Sequence, residues 1–480
     1  MFKNFQDIQS MIKEHKIHMI DFKQIDLEGR WRHLTIPTQR FTPKVLENGI
    51  GFDGSSYGFL PVEKSDMVFI PDISSAFVDP VIETPTLSMI GNLYRIGDGY
   101  IRFESDPRYV AEKAEQFLRE ENISDKCLLG PEFEFYLLDN IEYRNEVNHI
   151  EAHLDSAQAA WNALGSPYDG GNGNKGYKVM SHKGYHADLP HDASFPLRNI
   201  MVKTLEENGV PVKYHHSENG GPGQVEIELE FATLKEMADR TQKLKYLLKN
   251  IAIRHGKTIT FMPKPFFGEA GSGMHVHMQM FHGGKPIFYD DNGYANLSQT
   301  ALSAISGILE HAAALSAIVC PSTNSFKRLV PGYEAPVTIC FGASNRSSVI
   351  RIPGYARKPE EKRFEFRPSD AMSNPYLCFS ALVMAAIDGI RKQSDPTRNG
   401  FGPFDKNMYH LSDEEKKTVK SLPKSLDEAA DALERDHSFL LNGGVFSQDL
   451  IDNHLTKIRK DAEAINMTPH PLEFQMYYDL

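Results

Sequence analysis

Pro131-Glu132-Phe133-Glu134-Phe135 and Gln224-Val225-Glu226-Ile227-Glu228-Leu229-Glu230 decide how this chain is read. Side chains on a β-strand alternate faces with a period of two, so the first stretch aligns two carboxylates on one face and the second aligns three. Like charges held this close repel. A solvated edge strand would explain either stretch alone. Two more stretches weigh against that: Gly271-Ser272-Gly273-Met274-His275-Val276-His277 puts two imidazoles on one face, and Arg363-Phe364-Glu365-Phe366-Arg367 puts Arg, Glu and Arg on one face. Four such strands predict a sheet whose polar face lines a cavity.

Clustered carboxylates become favourable when divalent cations sit between them, and hard Mg²⁺ or Mn²⁺ prefers oxygen ligands while tolerating an occasional imidazole. Zinc would favour Cys and His, and the sequence has no HExxH and no paired cysteines. Taken singly, His275 and His277 read more readily as hydrogen-bonded core histidines than as ligands, but the Gly-Ser-Gly lead-in lets something approach the backbone closely and favours a site. Between residues 324 and 368 lie nine Lys and Arg against four Glu, a local balance of +5. Several of these arginines are set among apolar residues, as in Val349-Ile350-Arg351-Ile352-Pro353. A guanidinium in such a setting wants a fixed carboxylate or phosphate. Acids that bind cations, together with Arg, are what phosphoryl transfer requires. The nearest approach to a P-loop, His255-Gly256-Lys257-Thr258, has Ile251 where the first Gly belongs, and no GxGxxG follows an expected strand.

The chain has 480 residues, so two or more folding units are expected, and 41% hydrophobic with 24% charged residues exclude a disordered or collagen-like protein. A net charge of −12 argues against a general nucleic-acid binder. Four cysteines without a CxxC pair predict a reducing, cytoplasmic compartment. Residues 1–30 show no basic segment followed by a long apolar stretch, so no signal peptide is expected. The most apolar runs, 315–320 and 377–390, are too short for membrane spans and read as core helices.

Short β-like runs at 17–22, 31–36, 67–71 and 88–94 suggest a small sheet-containing domain over 1–104. Residues 51–58, rich in Gly and Ser, read as an exposed loop presenting Asp53. Asp106-Pro107 reads as a helix start, opening a second domain over 105–480. There, extended segments at 128–138, 225–231, 274–281 and 363–367 alternate irregularly with helices at 108–121, 194–208, 234–255, 298–320 and 375–392. This is an α+β pattern without a βαβ repeat.

In order along the chain, FDGSS (52–56), GPEFEF (130–135), GQVE (223–226), FMPKP (261–265), GSGMHVH (271–277), KRLVPGYEAP (327–336), NRS (345–347), EFR (365–367) and MTPHPLEFQMYY (467–478) closely resemble the motifs of type I (bacterial and archaeal) glutamine synthetase. The resemblance implies an N-terminal β-grasp domain and a catalytic domain of antiparallel strands flanked by helices, of the glutamine synthetase/guanido kinase-like kind. It implies a homo-dodecamer of two hexameric rings with active sites between neighbouring subunits, joined through the C-terminal tail. The implied substrates are glutamate, ammonium and ATP, with two or more Mg²⁺ or Mn²⁺ per site. By position, Glu134, Glu218 and Glu226 resemble the ligands of one metal, and Glu132, His275 and Glu365 those of the other. His277, Arg346, Arg351 and Arg363 fall where the family holds ATP. Gly271, Arg328 and Glu334 fall where it binds glutamate, and Arg346 and Arg367 where it handles the substrate carboxylate and transferred phosphoryl group. Asp53, donated by the adjacent subunit, would deprotonate ammonium, Tyr185 and Ser56 would complete the ammonium pocket, and Glu334 on a flap would shield γ-glutamyl phosphate from water. Tyr409 is similar to the tyrosine that an adenylyltransferase modifies in some members, and reads equally as an ordinary loop tyrosine. Ala270, Gln279 and Glu360 depart from the family pattern, leaving room for ligation of methylamine or a polyamine. The intact FDGSS loop favours ammonia. A non-catalytic relative would have no physical reason to keep six metal-ligand positions.

Overall fold

The strand expected at 128–138 runs over Lys126–Leu138, at the heart of a ten-stranded sheet. The computed structural model describes residues 4–165, 167–168, 174–330 and 335–479. Across the sheet the order is Val212–Ser217, Gln224–Leu229, Lys126–Leu138, Met274–His282, Phe364–Phe366, Ser348–Ile352 and Thr338–Ala343. Each neighbouring pair is antiparallel except the last, which is parallel. One face is apolar: Phe133, Phe135, Val225, Ile227, Met274 and Val276 are all fully buried. They share a core with Pro107–Glu120, Leu234–Arg254 and Pro375–Lys392. Burial of each such side chain contributes about 1.5–3 kcal/mol, and this fixes which face turns toward the helices. The opposite face is therefore left to the acids and imidazoles.

The helices follow their sequence signals. Pro107–Glu120 starts at Asp106, whose side chain accepts from the Arg108 amide, with Pro in the first turn. Leu234–Arg254 buries Leu234, Met237, Thr241, Leu244, Leu248 and Ile251 at helical spacing. Gly307 and Gly389 let two helices touch: a Cβ on Gly307 would lie 2.2 Å from the Ala385 carbonyl oxygen, and one on Gly389 2.1 Å from that of Ser303.

The single helix expected over 298–320 is two, Gln299–Glu310 and Ala312–Val319, bent by 74°. His311 sits at the break with φ −94° and ψ 5°. Its Nδ1 lies 2.8 Å from Asp436, its Nε2 2.8 Å from Asp388, and its ring stacks on Phe439 with centroids 3.9 Å apart. Burial alone would lower the imidazole pKa, but the two carboxylates outweigh it and raise it to about 9. Three partners pin the ring, and the chain turns around it. Among the described residues, no single helix is long and apolar enough to cross a membrane.

The N-terminal sheet has seven described strands in the order Trp31–Pro37, Met19–Ile25, Thr86–Gly97, Asp66–Pro71 and Ile50–Asp53, with Phe77–Val78 and Gly99–Arg102 pairing Thr86–Gly97. Met19–Ile25 lies parallel to Thr86–Gly97. The helix Phe5–Glu14 buries Ile8 and Ile12 in a core with Phe22, Phe69 and Leu87. This mixed sheet and its helix make the β-grasp unit. The segment expected as a loop over 51–58 is a strand through Asp53, paired with Asp66, and turns only from Gly54 onward. Phe52 explains the difference, since it anchors the strand by packing on Tyr57 at 5.4 Å.

Candidate active site

Register decides which polar side chains meet, and three rows cross the polar face. His216 opposes Glu226, which opposes Glu134. Tyr214 opposes Glu228, Glu228 opposes Glu132, and Glu132 opposes His275. His277 opposes Glu365, and Glu365 opposes Arg351. Glu132 ties the centre together, one oxygen 2.9 Å from His275 Nδ1 and the other 2.9 Å from His277 Nε2. Glu365 lies 3.7 Å from His275 Nδ1 and contacts both Arg351 and Arg367. Glu134 accepts from the Gly273 amide at 2.6 Å.

The charges are in tension. Burial, followed by the Glu134 and Glu226 carboxylates, pushes the Glu218 pKa up. Burial, followed by Glu132 and Glu134, does the same to Glu226. Burial works the same way on Glu132, but hydrogen bonds from His275 and His277 prevail and hold its carboxyl well below the usual range. Burial on Glu365 is likewise overcome, chiefly by Arg367, and its carboxyl is lowered. Repelling carboxylates of this kind accommodate cations. Among the described residues, three groups have donor atoms mutually within 4.8 Å: Glu132, His275 and Glu365; Glu132, Glu228 and His277; and His216, Glu218 and Glu226. Oxygen-rich sets with single imidazoles suit Mg²⁺ or Mn²⁺. Buried His277 Nδ1, Glu228 Oε2 and the Nε atoms of Arg351, Arg363 and Arg367 find no hydrogen-bond partner among the described residues, which fits a charged ligand and its cations.

Arg328 is buried and donates to the carbonyls of Pro368 at 2.6 Å and Arg367 at 3.1 Å. Its stem leaves no room for a side chain at Gly271, where a Cβ would lie 2.7 Å from Arg328 Cγ. Arg363 is buried, donates to the Glu361 carbonyl and lies against Tyr355. Arg346 is exposed in the turn between Thr338–Ala343 and Ser348–Ile352. Tyr185 stacks on His186 at 4.1 Å and meets His216 edge-on at 5.4 Å, so it borders the acidic group. Asp53 and Ser56 stand apart: Asp53 is exposed and accepts from the Ser55 and Ser56 hydroxyls at 2.7 and 2.6 Å, and no described contact joins this turn to the Glu132 cluster. The Ser56 and Ser55 hydrogen bonds keep its carboxyl below the usual range. Tyr409 is half-buried with its hydroxyl enclosed, and Glu334 lies outside the described residues. Of the departing positions, Ala270 is buried and its carbonyl accepts from Tyr136, Gln279 is buried, and Glu360 is exposed in a short turn.

Sequence reasoning missed His216 and Tyr214. Both sit on Val212–Ser217, whose mixture of His, Ser and Lys gives no clean alternation. The only signal was the fixed offset of His216 from Glu218.

A largely antiparallel sheet that gathers carboxylates able to hold cations and buried guanidiniums on one face carries the groups that metal-assisted phosphoryl transfer uses. Residues 16–96 match the "Glutamine synthetase, beta-Grasp domain" family and residues 104–477 the "Glutamine synthetase, catalytic domain" family. The chain belongs to the glutamine synthetase family. It is 44% identical over 484 residues to the glutamine synthetase of Frankia alni, covering all of both chains. Its fold is similar to that of Plasmodium falciparum glutamine synthetase, with a TM-score of 0.90 at 26% identity over 99% of each chain. It is also similar to a structure described as apo GmaS without ligand, with a TM-score of 0.79 at 25% identity over 99% of this chain and all of that one.

Proposed function

We propose that the polar face of this sheet makes L-glutamine, ligating ammonia to L-glutamate as ATP becomes ADP and phosphate. The observation that carries this reading is the convergence of Glu132, His275 and Glu365 beside Arg351 and Arg367. A carboxylate is a poor acylating agent, so the γ-carboxylate of glutamate first takes the γ-phosphoryl group of ATP, giving γ-glutamyl phosphate. Ammonia then attacks its carbonyl carbon, and phosphate leaves. Divalent cations, when bound, cancel the repulsion between the two anions that must approach. Glu134, Glu218 and Glu226 would hold one such ion, and Glu132, His275 and Glu365 another, as Mg²⁺ or Mn²⁺. Arg328, beside Gly271, orients glutamate. Arg346 and Arg367 balance the charge on the moving phosphoryl group, and His277, Arg351 and Arg363 seat the nucleotide. Asp53 holds ammonium by its negative charge and takes its proton, with Ser56 and Tyr185 lining the pocket. Glu334 covers the intermediate.

Asp53, at the end of its strand, has no contact with the carboxylate sheet among the described residues, which supports a site shared between copies. The exposed apolar residues of the last helix, Leu472, Phe474, Met476 and Tyr477, support a dodecamer whose rings dock through this tail. We place the domain boundary between residues 104 and 105 and the protein in the cytoplasm; Tyr409, half-buried with its hydroxyl enclosed, reads equally as an ordinary loop tyrosine and as a target of an adenylyltransferase. The test is phosphate release from ATP, glutamate and Mg²⁺ with ammonia, methylamine or putrescine in parallel. Ammonia should be preferred; preference for an organic amine would replace this reading with a γ-glutamyl amine ligase, and no turnover with any amine would refute both.

A further inference from the structure

On the helix side of the catalytic sheet, away from the carboxylate rows, lies a cleft of about 930 Å³. It is walled by the turn at 26–32, by Ser56, Tyr57 and Gly58, by Lys245 and Lys249 of Leu234–Arg254, and by residues 453–461 of Gln448–Asn466. Ile259, Phe261, Ile318 and Leu377 give it an apolar floor. The walls are built rather than incidental: Asn374 donates to the Asp26 carbonyl at 3.1 Å and Gln242 to that of Gly29 at 3.0 Å, pinning the 26–32 turn over the cleft.

The charge on these walls has the opposite sign to that of the whole molecule. Six Lys and Arg line the cleft against three acids, and all three acids are occupied. Glu28 pairs with Arg30 at 2.9 Å, Asp26 with Arg32 at 2.9 Å, and Asp461 with Lys457. Lys245, Lys249 and Lys460 have no carboxylate within ion-pair distance among the described residues. Lys245 is largely enclosed, and its ammonium donates to the carbonyls of Ala371 and Ser373, which uses two of its three N–H groups. Burial, with Lys249 nearby, draws its pKa down to about 7, and a bound anion would relieve that cost.

We propose that this cleft is an effector site for a small organic anion, one that sets a flat apolar body on Phe261 and a carboxylate or phosphate among Lys245, Lys249 and Lys460. Two walls lead to the chemistry. Ala371 and Ser373 follow the segment Arg367–Pro368–Ser369, whose carbonyls hold Arg328. Ser56 donates to Asp53 at 2.6 Å. An occupant therefore touches Ala371, two residues beyond the strut behind the glutamate arginine, and Ser56, which holds Asp53, and it changes turnover without reaching the carboxylate rows.

The probe is 1-anilinonaphthalene-8-sulfonate, an aromatic anion whose fluorescence rises on binding, titrated into the full-length protein with Mg²⁺ and ATP saturating. The expected result is saturable binding that weakens roughly tenfold or more in the Lys249→Glu, Lys460→Glu double variant, each lost charge-assisted contact being a substantial share of a small ligand's affinity. Both lysines are exposed and outside the catalytic machinery, so turnover without the probe stays at the wild-type level. A Lys249→Met, Lys460→Met variant should fall between the two. Equal affinity in wild type and double variant, absence of a saturable site, or turnover unchanged by saturating probe would each overturn the proposal.

Discussion

Glu365→Ala tests the centre of the site most directly. Its carboxylate is fully enclosed and faces two guanidiniums, those of Arg351 and Arg367, whose side chains are 8% and 5% exposed. Removing this anion leaves two cations buried side by side with only the more distant Glu132 to offset them. Breaking a buried pair by deleting one partner costs about 3–5 kcal/mol, because the survivor cannot be rehydrated, and here there are two survivors. The metal-free variant should therefore unfold at a lower urea concentration, by an amount equivalent to about 3–5 kcal/mol. Adding Arg351→Met to Glu365→Ala should recover part of this loss, since it removes one of the stranded charges. Turnover should fall at least about 100-fold, the equivalent of about 3 kcal/mol of lost electrostatic stabilisation of the transition state. Mn²⁺ titration followed by electron paramagnetic resonance should show one ion fewer per chain. A variant with wild-type stability, wild-type Mn²⁺ stoichiometry and normal phosphate release would refute the reasoning at its root.

Asp53→Ala should leave the urea midpoint unchanged, because the side chain is exposed, yet lower turnover at subsaturating ammonium at least about tenfold, the usual share of a positioned acid or base being larger still; wild-type ammonium dependence would contradict its role. His216→Ala should weaken Mn²⁺ binding at the Glu218 and Glu226 group while leaving the Glu132 group filled, measured in the same titration, and unchanged affinity would remove His216 from the site. His311 has a raised folded-state pKa, so its stabilisation is fully present below the unfolded value near 6.5 and is lost as pH rises through about 9. The stability gap between wild type and His311→Gln should be about 3 kcal/mol at pH 6 and shrink toward pH 10 in urea titrations, whereas a gap independent of pH would show that the charge on the ring is immaterial. Gly389→Val should destabilise by about 1–3 kcal/mol through overpacking against Ser303, and a neutral outcome would mean that the two helices can separate freely.

The period of two in PEFEF, QVEIELE and GSGMHVH was enough to sort the side chains of the polar face from those of the apolar one, because a strand has only two faces and the apolar one must meet the helices. What that period could not supply was register, which depends on partners elsewhere in the chain. Nothing local says that Glu228 stands opposite Glu132, or that Arg351 stands opposite Glu365. His216 escaped for a related reason, since KYHHS reads as a strand only once Gln224–Leu229 lies beside it. The bend at His311 was invisible because its causes, Asp388, Asp436 and Phe439, come from later helices, while the local sequence is strongly helical throughout. In the 51–58 segment, glycine content outweighed the pairing of Phe52 and Asp53 with the strand that follows.

The three polar rows also bear on how such a sheet can change over time. Deleting Gly273, just before this strand, would turn Met274 and Val276 to the polar face and drive both imidazoles into the apolar layer, so the whole strand would be lost at once. Length changes are consequently confined to the connections between strands, such as the exposed hairpin Asn140–Glu146 and His149–Asp155. Those connections are where lineages carrying this sheet are free to diverge in size while their reacting centre stays the same.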